Sequence, residues 1–268
     1  MPTTDDNERP EISSRTIEVN GRPMSFHASR GEVPPDRPAV VLVHGFVVAS
    51  SYMLPTAELL ARDFRVLAPD LPGFGGSPGP RRALDVAGLG LALADWMETM
   101  RLERAALLAN SFGCQVALAC ALARPERVSH LILQGPTTDP AARTLLGQLR
   151  RWIENSRFEP PMSGTMLRDY RRAGLLRAAS TARHLLRDAI EEKLPQVRVP
   201  ALVVRGEHDS LVPQPWAEEV VRLLPEGRLI LVPGAAHTVV YFAARECADA
   251  VRTFLLSGSG PQAVDGMA

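Results

Sequence analysis

Lysine is almost missing from this chain of 268 residues: of thirty basic side chains only Lys193 is a lysine. Thirty acidic side chains cancel the thirty basic ones, so no net charge draws the whole molecule towards nucleic acid or an anionic membrane. Cysteine is scarce too. Cys114, Cys120 and Cys247 form an odd, widely spaced set without a CxxC pair, which excludes a disulfide framework and offers no metal-ligand cluster. No run approaches the ~20 apolar residues needed to span a bilayer. The opening MPTTDDNERPE is polar and acidic, without the basic and apolar parts of a signal peptide. These absences lead us to expect a cytoplasmic protein with no cofactor and no metal, and with neither nucleic acid nor membrane as partner.

What is present is an ordinary globular composition, 46% hydrophobic, on a chain long enough to bury a core without disulfides. RTIEVNGRPMSFH alternates on both sides of Asn20-Gly21, a dipeptide suited to the positive φ values of a tight hairpin. Six apolar, β-branched runs follow: 39–44, 64–69, 104–110, 130–135, 201–206 and 228–233. Runs of this kind suit strands covered on both faces, as in a parallel sheet. Helical patterns at 52–62, 85–101, 111–124, 215–224 and 240–256 alternate with them. The fold class is therefore α/β, a mostly parallel central sheet with helices on both faces. Residues 15–136 and 196–256 make up the core, and 1–14 and 257–268 are expected to be disordered. Residues 137–195 carry no strand signal and read as an inserted helical lid.

In open α/β sheets ligands bind beyond the carboxyl ends of the strands. Three residues with chemistry fall there, in the order Ser111, Asp209, His237. Ser111, in LLANSFGCQVALA, is either a helix N-cap or a nucleophile on a tight strand-to-helix turn. An isolated serine hydroxyl is a poor nucleophile. An imidazole at His237 would take its proton, and a carboxylate at Asp209 would hold that imidazole in the right tautomer. Asp139 is the rival acid and His208 the rival base. The N–H of Phe112 opens the following helix, where unpaired N–H groups favour an anion.

Four stretches carry a more specific likeness: VLVHGF (41–46), DLPGFGGS (70–77), ANSFG (109–113), and the pair RGEHDSLVP and PGAAHTV. Together they make the chain resemble the α/β-hydrolase family from about Ile17 to Leu256, in particular serine esterase-like members with a helical lid. The resemblance implies an α/β-hydrolase fold and a triad of Ser111, Asp209 and His237. It also implies an oxyanion hole formed by the N–H groups of Phe46 and Phe112. One departure is Ala109, where the family's elbow usually has glycine. The serine sets the chain apart from epoxide hydrolases and haloalkane dehalogenases of this fold, which use aspartate there. The chemistry implied is hydrolysis of a carboxylic ester through an acyl-enzyme. Thioester, lactone or carbon–carbon hydrolysis by the same triad is the alternative, and a non-catalytic ligand-binding receptor the further one. His44 and Asp70 are expected to shape loops, and His27, His130 and His184 to pack.

Between Arg143 and Arg187 lie ten arginines and three acids, Glu154, Glu159 and Asp169; ten less three leaves a local balance of +7. Solvated helix faces account for such a run, and so does recognition of an acidic partner or a substrate carboxylate. Apolar lid residues, among them Leu145, Leu149, Trp152, Met162, Leu175 and Leu176, are candidates to line an acyl pocket and equally to be the lid's own packing. The expected substrate is a small ester with an apolar acyl part.

Overall fold

The computed structural model describes residues 11–31, 33–34, 36–161 and 164–257. Most of the expected disordered ends, 1–10 and 258–268, and the pocket candidate Met162 lie outside the described residues. Among the described residues the strands are β1 (Ile12–Val19), β2 (Arg22–Ser29), β3 (Ala39–Val43), β4 (Val66–Pro69), β5 (Ala105–Asn110), β6 (Val128–Gln134), β7 (Ala201–Gly206) and β8 (Gly227–Val232). They form one sheet in the order β1-β2-β4-β3-β5-β6-β7-β8. The first two strands run antiparallel to their neighbours and the remaining pairings are parallel.

The hairpin turns at Asn20 (φ 50) and Gly21 (φ 75), as the dipeptide demands. The expectation of disorder through residue 14 is corrected here, because β1 already begins at Ile12. β2 extends to Ser29 and supplies pairing partners for Ile12, Ser13 and Ser14, so ladder hydrogen bonds order residues whose side chains gave no strand signal.

The helices of the core are α1 (Leu54–Leu60), α2 (Val86–Thr99), α3 (Phe112–Ala123), α7 (Gln214–Leu223), α8 (Val239–Phe242) and α9 (Ala244–Leu256). Period-2 alternation along the parallel strands divides the core into two layers. Val41, Leu107, Leu131 and Val203 pack on one face with residues of α2, α3 and α7. Val40, Leu108, Ile132 and Val204 pack on the other with residues of α1, α8 and α9. Each such fully buried side chain contributes about 1.5–3 kcal/mol of hydrophobic stabilisation. The parallel strands are buried on both faces, which is why they read as unbroken apolar runs.

The segment between β6 and β7 contains α4 (Leu145–Asn155), α5 (Gly164–Arg187) and α6 (Ile190–Lys193). Thr144 caps α4 by accepting from the Gly147 N–H at 3.0 Å. α5 is interrupted at Gly174, whose φ of 74 lies outside helical geometry. Several contacts tie α5 to the core: Asp169 accepts from the Ala49 N–H at 3.1 Å, Arg177 donates to the Pro80 carbonyl at 2.9 Å, and the Leu185 carbonyl accepts from the Gln115 side chain at 3.0 Å. Among the described residues no helix is long and apolar enough to cross a membrane.

Candidate active site

Ser111 lies between β5 and α3, Asp209 in the loop after β7, and His237 in the loop after β8. All three therefore stand at the carboxyl end of the sheet. Ser111 has φ 53 and ψ −121, a left-handed value that is uncommon for a residue with a Cβ and marks a backbone held by its surroundings. Its N–H donates to the Gln134 carbonyl at 2.8 Å, extending the β5–β6 ladder past the strand. Its side chain makes no capping hydrogen bond, so the N-cap reading does not describe what the hydroxyl does. Two residues on, Gly113 lets α3 lie against β3. A Cβ there would come within 2.5 Å of the Val43 carbonyl oxygen and 2.6 Å of that of His44. Ala109 is fully buried in β5, and its small side chain fits where the family's elbow usually has glycine.

Asp209 and His237 meet. His237 Nδ1 stands 2.9 Å from Asp209 Oδ2, and both residues are buried. The other carboxylate oxygen of Asp209 accepts from the Val212 N–H at 2.9 Å, which fixes the plane of the group. Burial pulls the imidazole pKa down, yet the Asp209 carboxylate beside it, with a smaller contribution from Glu159, holds it above the ordinary 6.5. With Nδ1 bonded to a carboxylate, the ring presents Nε2 as an acceptor. Nε2 is buried and has no hydrogen-bond partner among the described residues. No hydrogen bond joins it to the Ser111 hydroxyl; such contacts are often long before substrate binds.

The rivals have other work. Asp139 pairs with Arg151 at 2.5 Å and accepts from the Ala141 N–H at 2.8 Å. The His208 ring stacks on Phe158 with centroids 4.6 Å apart. His44 Nε2 accepts from the Leu71 N–H at 3.0 Å, and its Nδ1 lies 3.0 Å from the Gly45 carbonyl oxygen. Asp70 accepts from Ser50 N–H and Gly76 N–H, each at 2.7 Å. Both side chains thus shape the loop after β3 that carries Phe46, with Val47 beside it at φ 59. His27 lies 2.9 Å from the Ser50 hydroxyl, His130 packs edge-on against Phe254, and His184 lies 3.5 Å from the Ser180 hydroxyl. Cys114 is buried, and burial pushes its thiol pKa well up, away from the reactive thiolate.

Beside Ser111 lies a cavity of about 400 Å³. Phe46 and Thr137 line it from the core, and Leu145, Leu149 and Trp152 of α4 with Tyr170, Leu185 and Leu186 of α5 line it from the insertion. Its wall is overwhelmingly apolar. Leu175 and Leu176, expected in such a pocket, are not part of the lining.

Sequence reasoning missed a chain of buried amides behind the site. Asn110 donates to the Gln134 side chain at 2.5 Å, Gln134 donates to the His237 carbonyl at 2.8 Å, and the His237 N–H donates to the Asn155 side chain at 3.2 Å. Glu159 then accepts from the Thr238 N–H. The chain runs from the elbow through the histidine loop into the insertion. Gly135 was missed as well. Its φ is 61, and a Cβ there would lie 2.8 Å from His237 Cε1. The available signals were the polar residues Asn110 and Gln134 closing apolar strands and the glycine directly after β6.

The chain matches the alpha/beta hydrolase family over residues 40–250 and belongs to it. It is 24% identical over 231 residues to a putative carbamate hydrolase of Stutzerimonas stutzeri, covering 77% of this chain and 87% of that one. It is 31% identical over 155 residues to a haloalkane dehalogenase of Mycobacterium marinum, covering 57% of this chain and 49% of that one. The structure is similar to that of carboxylesterase CesB from Bacillus subtilis, with a TM-score of 0.74 at 22% identity, covering 92% of this chain and 93% of the other.

Proposed function

We propose that this α/β hydrolase is a serine hydrolase that cleaves a carboxylic ester with an apolar acyl part. In this reading the Ser111 hydroxyl attacks the ester carbonyl carbon while His237 Nε2 takes its proton. Asp209 stabilises the imidazolium. The oxyanion of the tetrahedral intermediate accepts from the N–H groups of Phe46 and Phe112; such a donor is worth about 3 kcal/mol. The imidazolium protonates the leaving alcohol, and an acyl-enzyme remains on Ser111. Water, deprotonated by His237, then releases the acid. No cofactor or metal enters these steps.

The observation that carries the reading is Ser111 itself, held at φ 53 and lining an apolar cavity rather than capping α3. The same machinery serves thioesters, lactones and carbamates, since each presents an acyl carbonyl. The test is initial rate on p-nitrophenyl esters of short, medium and long chains, with Ser111→Ala as control. Ser111-dependent turnover with a preferred chain length is expected. Folded protein that turns over none of the chain lengths, or turns them over equally well without the Ser111 hydroxyl, overturns the reading.

A further inference from the structure

Whole-chain neutrality and the lack of a spanning segment gave no reason to expect a membrane partner. Charge and apolar surface are nevertheless unevenly placed. Among the described residues, nine of the thirteen large apolar side chains that are exposed lie between 145 and 176. Leu145 and Leu146 are 67% and 77% exposed, and Leu175 and Leu176, beside the break at Gly174, are 89% and 90% exposed. A soluble monomer rarely leaves so many large apolar side chains of one segment in water without a use for them. Leu145, Leu149 and Trp152 follow helical spacing and are about half exposed or more while lining the cavity beside Ser111, so the apolar stripe of α4 runs along the cavity mouth, with Leu146 and Ile153 exposed beside it.

The same segment carries arginine. Arg143, Arg150 and Arg151 pair with Glu191, Glu154 and Asp139. Arg157, Arg168, Arg171, Arg172, Arg183 and Arg187 have no ion pair among the described residues, and all six are exposed. Aliphatic side chains and Trp152 interleaved with unpaired arginines are the composition of a helix face that lies in an anionic interface.

We infer that the outer face of α4 and α5 docks on an anionic lipid surface. Two facts favour lipid over the alternatives. Leu175 and Leu176 protrude, and nothing lies within 4 Å of where a Cβ on Gly174 would be, so a protein partner would need a matching recess while acyl chains need none. A second copy would bring the same arginine-rich face against this one, and like charges oppose that contact. Docking this way also sets the cavity mouth against the leaflet, because Leu145, Leu149 and Trp152 are exposed and line the cavity beside Ser111. That last point rests on the hydrolase reading; the docking itself does not, and it is measured without turnover.

The experiment is co-sedimentation of the full chain with vesicles of phosphatidylcholine alone and of phosphatidylcholine mixed with phosphatidylglycerol, at low and high salt. The expected result is partition onto the anionic vesicles that weakens with salt. Leu175→Ser/Leu176→Ser and Arg171→Glu/Arg172→Glu should each lower it by about tenfold or more. Circular dichroism checks that both variants fold, and light scattering gives their oligomeric state. Absence of partition, partition that is equal on neutral vesicles, or partition unchanged in both variants overturns the inference. So does a dimer that the leucine variant dissolves, which would assign the face to a second copy. Capture of an acidic carrier protein in place of vesicles would assign it to a protein partner and overturn it as well.

Discussion

Gly135→Ala tests the geometry of the site at one atom. The new Cβ would stand 2.8 Å from His237 Cε1, 3.0 Å from Nδ1 and 3.4 Å from Asp209 Oδ2. Carbon atoms in contact sit near 3.5–4.0 Å, so the ring has to retreat by about 0.7–1.2 Å. The 2.9 Å hydrogen bond to Asp209 is the first thing that movement strains. A misplacement of about 1 Å costs roughly 10²-fold in rate. Alanine at φ 61 adds a backbone cost of about 1–2 kcal/mol. For a domain of this size that lowers Tm by about 2–8 °C, leaving the protein folded at assay temperature. The assay is kcat on a medium-chain p-nitrophenyl ester, with Tm measured on the same sample. A folded Gly135→Ala protein whose kcat stays within a few-fold of the parent would refute the placement of His237 against this glycine, and with it the role given to that ring.

Glu159→Gln removes the second carboxylate that raises the His237 pKa, leaving Asp209. The Tyr52 hydroxyl, which also feels Glu159, is pushed well up by burial and stays neutral across the range. The proposed mechanism needs neutral imidazole at His237, so the rate should rise with pH through this pKa, which lies above 6.5 in the parent protein. The acid limb of kcat/KM should therefore move to lower pH in the variant; an unmoved limb counts against Glu159 acting on the ring. Asp169→Ala leaves the buried Ala49 N–H without its partner, at a cost of about 1–3 kcal/mol, and loosens the loop carrying Phe46. A lower kcat with little change in KM is expected, and a change in KM alone would place the effect on binding. Trp152→Ala enlarges the cavity beside Ser111, so the preferred acyl chain should lengthen across the ester series.

The parallel strands were legible because burial on both faces leaves an unbroken apolar run, and Ala201–Gly206 begins and ends where its run does. Ser111, Asp209 and His237 stood out because chemistry-bearing side chains directly after such runs have few structural reasons to be there. Long-range pairings were not legible. Asn155 lies 82 residues from the backbone N–H it caps, and nothing local in an amphipathic helix announces that. The 3.6-residue period of α4 shows that one face is apolar but not whether that face is covered. Leu145 and Leu149 therefore read equally as packing or pocket, and they prove to be both cavity wall and surface. The start of β1 escaped for a related reason: Ser13 and Ser14 owe their order to partners in β2 and not to their own side chains.

The hydrogen bond from His237 N–H to Asn155 makes the wall of the cavity and the histidine loop a mechanical interlock. α4 carries Leu145, Leu149 and Trp152 at the cavity and Asn155 at its last turn, so it cannot swing away to widen the entrance without releasing its grip on the histidine. In the proposed mechanism, a molecule that opened this way for a bulky substrate would be disarmed until the helix settled back. Admission and chemistry would then fall in sequence, and water entering an open site would meet a histidine loop that has lost one of its two amide anchors, the Gln134 and Asn155 side chains.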